Sequence, residues 1–138
     1  MKIRKFNNTK LLVSKIFPFK GYTAMSLFGF IFWRNERRSM LVDPRYNDYV
    51  EVVINHEKIH TEQIKDFGLP FFFFKPLQIL FGSVFFYLIY VLNWLINLII
   101  CPNKAYMDIC FEKEAYAHEK NFDYIKNRKH FQFWRKEK

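Results

Sequence analysis

Between Asp43 and Phe67 apolar and polar residues alternate at steps of three and four, with Val53, His56, His60, Gln63 and Phe67 on one stripe. That period predicts an amphipathic helix, because residues three and four apart lie one above another on a helical face. Asp43-Pro44 supplies an N-cap and a proline at the first helical position, and Gly68-Leu69-Pro70 supplies the stop. Upstream, residues 11–33 break into short apolar runs around Pro18, Gly21 and Gly29, and the piece from Tyr22 to Trp33 is rich in aromatic residues. These runs predict one or two strands, as a hairpin or small sheet. Arg34-Asn35-Glu36-Arg37-Arg38 reads as a charged turn before the helix.

Downstream, the chain from Leu69 to Cys101 is almost entirely apolar. Residues 77–101 as one helix would span roughly 37 Å, enough for a bilayer core of about 30 Å. Yet Ser83, Tyr90 and Asn97 recur at intervals of seven, with Tyr87 and Asn93 nearby. Such a polar stripe fits a helix packed on protein or lying at an interface. Asn103 to about Lys120 predicts a further helix with Asn103 as its cap, and residues 121–138 form an aromatic and basic tail. The expected architecture is a single domain over residues 1–138, mainly α with a small N-terminal β-hairpin or sheet (α+β). Its body is the amphipathic helix plus a long apolar helix or a helical hairpin.

Composition agrees with a packed chain: half of the 138 residues are hydrophobic and 18 are Phe, which argues against general disorder. The net charge of +9 comes from the two ends, since residues 1–20 hold six Lys and Arg and no acid. Basic ends suit an anionic membrane surface or nucleic acid, and equally suit solvated termini. The apolar segment favours membrane association through 69–101, and no nucleic-acid motif argues otherwise. Cys101 and Cys110 do not make a disulfide framework and read as free thiols in a reducing compartment, with Cys110 a minor candidate as a metal ligand. The N-terminus lacks the continuous apolar stretch of a signal peptide, so the expected location is the cytoplasmic side of a membrane.

The candidate chemistry sits on the first helix, at His56-Glu57-Lys58-Ile59-His60. Four-residue spacing on a helix lets His56 and His60 aim two imidazoles at one metal ion, and Glu57 comes within reach of a water on it. A catalytic zinc then needs a third protein ligand and an open position. Phe111-Glu112-Lys113-Glu114-Ala115-Tyr116 offers Glu112 or Glu114.

H-E-x-x-H followed on a later helix by E-x-E-A resembles the gluzincin branch of the zincin metallopeptidases, closest to its minimal forms. These include heat-shock and prenyl-protein membrane proteases and repressor-cleaving phage-regulation peptidases. The resemblance implies a zinc-like ion on His56, His60 and Glu112, because Ala115 stands three after Glu112 as that pattern requires. Gln63 is similar to the last position of an H-E-x-x-H-x-x-Q form. Where the family pattern carries Asp or Asn as partner to a ligand His, this chain carries Tyr116, which leaves open a register with Glu114 as ligand and His118 as its neighbour. Tyr116, His118 and Gln63 are thus the candidates for supporting a ligand or the transition state, with Tyr106 and His130 as further donors. The implied activity is peptide-bond hydrolysis with Glu57 as general base, on a peptide or protein substrate. The alternative is a zincin-like protein that binds metal without catalysis and acts at a membrane surface.

Both motifs must meet at one ion although the apolar segment separates them. A single crossing by 77–101 would put them on opposite sides of a bilayer. The expectation is therefore a hairpin broken at Gly82-Ser83, or a helix packed on the domain and dipping into a membrane surface.

Overall fold

The computed structural model describes residues 2–135; Lys136, Glu137 and Lys138 of the basic tail lie outside the described residues. Four short strands come first: β1 (Lys2–Phe6), β2 (Thr9–Ser14), β3 (Ala24–Leu27) and β4 (Phe30–Arg34). They form one sheet in the order β1-β2-β4-β3, with β2 and β4 parallel and the other two pairings antiparallel. The β3-β4 hairpin lies inside the stretch expected to be extended. It turns at Phe28 (φ 49°) and Gly29 (φ 77°), the left-handed pair that a two-residue hairpin loop requires. β1 falls in a stretch read only as a basic end. Arg4 and Lys5 are exposed on this strand at the sheet margin, where charge discourages pairing with another chain.

Alternation places Leu11, Val13, Ala24, Ile31 and Trp33 on one buried face of the sheet. That face packs, with Phe6 and Leu41, on Val50 and Ile54 of helix α1 (Asn47–Phe67). Asp43 caps as expected, with its side chain accepting from the Arg45 amide. What it caps is a 3-10 turn at Pro44–Tyr46, and the α-helix begins after it.

α2 (Lys75–Ile100) is one unbroken helix, so no hairpin forms at Gly82-Ser83. Those residues mark a helix crossing instead. A Cβ on Gly82 would lie 2.1 Å from the Ile64 carbonyl oxygen, and one on Gly68 would lie 2.1 Å from the Gln78 oxygen. Glycine at both places lets α1 and α2 approach backbone to backbone. The stripe of Ser83, Tyr87, Tyr90, Asn93 and Asn97 faces the domain, as its spacing indicated.

The helix expected from Asn103 is shorter: a 3-10 turn at Pro102–Lys104 and irregular chain precede α3 (Cys110–His118). Side chains from α2 account for the difference. Asn97 donates to the Ala105 carbonyl at 3.2 Å and the Asn93 carbonyl oxygen accepts the Cys110 amide at 2.8 Å, so this segment lies on α2 rather than on its own ladder. The chain then folds back through α4 (Tyr124–Asn127). Phe133 of the tail is buried with Ile64, Phe86, Ile109 and Phe111 in a second core. α1 therefore has its first half on the sheet and its last turns in this aromatic core, with His56, Glu57 and His60 between them.

Candidate metal centre

His56 and His60 share a face of α1, and α3 brings Glu112 against them; all three are buried. The His56 and His60 Nε2 atoms are 3.2 Å apart, His56 Nε2 is 3.3 Å from Glu112 Oε2, and His60 Nε2 is 3.4 Å from Glu112 Oε1. A tetrahedral ion with ligand bonds of about 2.0–2.1 Å has ligand-to-ligand edges of about 3.3 Å. The His56–His60 edge is of this length, and each imidazole lies about as far from one oxygen of the Glu112 carboxylate.

Hydrogen bonds on the far side of each ring determine what faces the centre. Gln63 Nε2 donates to the Phe111 carbonyl and to Glu114 Oε2, both at 3.0 Å, so its Oε1 is left to accept from His60 Nδ1–H at 2.8 Å. His56 Nδ1–H donates to Glu119 Oε2 at 2.9 Å. Both Nε2 atoms then face inward, the arrangement of a metal-binding histidine pair with its supporting partners. Glu112 Oε1 accepts from the Tyr90 hydroxyl at 2.7 Å, whereas its Oε2 is buried with no hydrogen-bond partner. A buried carboxylate oxygen without a donor is costly, and a cation between it and the two imidazoles removes that cost. Two imidazoles and a carboxylate so placed fit a metal ion.

The electrostatics agree. Burial opposes charge on His60, but attraction to Glu112 and the hydrogen bonds outweigh it and raise its pKa to about 9, so a proton holds the cation's place. Burial likewise opposes ionisation of Glu112. Attraction to His60, the close imidazoles and the hydrogen bond from Tyr90 prevail and keep it well below the usual carboxylate range. Glu57 goes the other way: burial pushes its carboxyl up. One of its oxygens accepts the Ser26 amide of β3 at 2.5 Å.

Glu57 and the three candidate ligands line one cleft of about 430 Å³ between β3, α1 and α2. Its other walls are largely apolar and aromatic, including Phe17, Phe19, Met25, Tyr87 and Trp94. β3 is the sheet edge on this side, and its Ser26 is held by Glu57 at the amide and by the Tyr87 hydroxyl at the carbonyl, 2.6 Å away.

The other residues singled out in the sequence lie elsewhere or act indirectly. Glu114 is not at the ion position. Its carboxylate takes Arg128 Nε at 2.5 Å and the Tyr124 hydroxyl at 2.9 Å, as well as Gln63. Tyr116 packs edge-on against the His56 ring, with centroids 4.6 Å apart, and Tyr106 lines the cleft. His118 stacks on Tyr124. His130 bonds Asp66, and neither lines the cleft; Cys110 packs against the aromatic core with its thiol pushed up by burial. Sequence reasoning missed Glu119, Tyr87 and Tyr90. Glu119 follows Glu112 by seven residues, two helical turns along one face, a spacing that can flag a second carboxylate beside the ligand.

No protein-family model, no curated protein and no solved structure matches this chain. The reading of the site therefore rests on its geometry.

Proposed function

We propose that this chain is a zinc-dependent peptidase whose ion is held by His56, His60 and Glu112. The observation that supports it is the convergence of His56, His60 and Glu112 beside a buried Glu57 in one open cleft. Zinc bound there would supply a water acidic enough to lose its proton near neutral pH and would polarise a carbonyl. Glu57 is suited to take that proton, because burial raises its basicity and the Ser26 amide anchors one oxygen while the other stays available. Tyr106 is suited to donate to the developing oxyanion: it lines the cleft, and burial together with the Glu112 charge holds its phenol protonated. β3 lines the cleft, where an extended peptide can lie along the strand once it displaces the Ser26 contacts with Glu57 and Tyr87.

The experiment is elemental analysis of wild type, His60→Ala, Glu112→Ala and Glu114→Gln, joined to hydrolysis of a peptide library. About one zinc per chain is expected, lost with His60 or Glu112 and kept in Glu114→Gln. Glu57→Gln is expected to keep the zinc and lose about 10²- to 10⁴-fold in turnover. Zinc bound normally with no hydrolysis by wild type would favour the second reading, a non-catalytic metal-binding protein. The Ser26 amide already engaged with Glu57 is the observation on that side.

A further inference from the structure

α2 has the length and hydropathy of a membrane-spanning helix, yet only 17% of its most apolar window is buried. Its outward face carries Phe81, Val84, Leu88, Leu92, Leu95 and Ile99, all exposed, and Ile99 is 85% exposed. The opposite face is covered by the domain along nearly its whole length: Gln78 bonds the Lys65 carbonyl, Gly82 meets Ile64, Tyr90 bonds Glu112 and Asn97 bonds the Ala105 carbonyl. A bilayer core of about 30 Å holds about 20 helical residues. If α2 crossed it, the packed domain would be carried into hydrocarbon, including the Glu62–Lys65 and Asp108–Lys113 ion pairs. Ions held near the bilayer centre are costly, because hydrocarbon offers them no hydration. Laid flat, the same helix puts its apolar face in lipid and leaves every one of those charges in water.

We propose that α2 lies in the plane of an anionic bilayer, immersed along its outward face, and does not cross it. Charge names the occupant: the chain carries +9, and exposed Lys75 and Lys104 stand at the two ends of α2, where long side chains reach headgroup phosphates. Phe72, Phe73 and Phe74, all exposed, extend the apolar strip beyond the N-terminal end. Val91 and Trp94 belong to the exposed surface of α2 and to the cleft wall alike, so in this pose the cleft opens at the lipid boundary. Taken with the peptidase reading, on which this consequence rests, the substrate is a peptide segment presented at the bilayer surface.

The test uses the full chain with Cys101 and Cys110 replaced by Ser, single cysteines at Phe81→Cys, Leu88→Cys or Leu95→Cys, and a bimane label. Quenching by lipids labelled at different depths then locates each probe in phosphatidylcholine vesicles with and without phosphatidylglycerol. The expected result is preferential binding to the anionic vesicles, with all three probes at one shallow depth. A spanning helix would place Leu88→Cys about 10 Å deeper than its neighbours seven residues away, and that profile would overturn the proposal. So would failure to bind vesicles combined with concentration-dependent dimerisation, which would assign the face to a second copy. Leu88→Asp with Leu95→Asp is expected to weaken vesicle binding at least tenfold while zinc content stays that of wild type, which separates loss of the surface from loss of the fold. Depth needs no turnover, so a chain that binds flat and cuts nothing would sink the peptidase reading and leave this one standing.

Discussion

Two buried clusters of ionisable residues lie between α1 and α3, and they differ in how their polar atoms are satisfied. Around Arg128 the accounts close: its guanidinium bonds Asp66 at 2.8 Å and Glu114 at 2.5 and 3.2 Å, and Asp66 also accepts from the Phe131 amide and bonds His130. Around His56, His60 and Glu112 they do not: two imidazole Nε2 atoms face each other 3.2 Å apart and one carboxylate oxygen has no hydrogen-bond donor. The first cluster is a finished ion-pair network that pins residues 128–131 of the tail to α1. The second is short of a cation and opens on a cleft. Residue type alone does not separate a structural cluster from a reactive one; the count of satisfied atoms does. Gln63 joins the two, bonding His60 with one end of its amide and Glu114 with the other.

The largest effect that would sharpen this contrast is on stability. Arg128→Met leaves Asp66 and Glu114 buried without their cation, and unfolding experiments in denaturant should show a loss of about 3–5 kcal/mol. Unchanged stability would show that the cluster is not the structural one. Zinc supplied at about a thousand times its Kd should stabilise the wild type by about 4 kcal/mol, an effect expected to vanish in Glu112→Gln. Calorimetric scans with and without zinc measure both. Next comes Glu119→Gln, which removes the charge that orients His56 and should weaken zinc binding about 10- to 100-fold in competition with a chelator. Equal affinity would mean that Glu119 does not support the site.

The smallest effect is in pH. In the zinc-free chain the pKa of His60 is raised from 6.5 to about 9, so its contribution to stability is complete below about pH 6.5 and is lost as pH rises through 9. On the proposed reading, zinc takes that proton's place. The stabilisation by zinc should therefore widen across that window, read as the gap in Tm between zinc-loaded and chelated protein. A gap that narrows would contradict the proton's place between His60 and Glu112.

Helical periodicity placed α1 within a few residues and put His56, His60 and Gln63 on one face, because a 3.6-residue repeat is local information. Apolar length likewise announced α2, and its seven-residue stripe showed which side meets protein. The meaning of Gly82 was not legible. A glycine in an apolar run looks the same whether it turns the chain or admits a neighbouring backbone, and only the crossing with Ile64 distinguishes them. The four-stranded sheet was legible as extended chain but not as an order, since placing β4 beside β2 in parallel depends on contacts across the fold.

By itself, then, the sequence determined the two-histidine face, the acid beside it, the long apolar helix and the basic ends, all of them consequences of spacing and composition along one segment. Only the tertiary structure sets Glu112 beside the imidazoles and Glu114 beside Arg128, although the two lie two residues apart on one helix and differ in sequence by almost nothing. The rotation of α3 against α1 aims Glu112 at the imidazoles and Glu114 at Arg128, fourteen residues further along the chain. That rotation is set by packing of Phe111 and Ile109 in the aromatic core, a long-range contact for which no local pattern carries a signal.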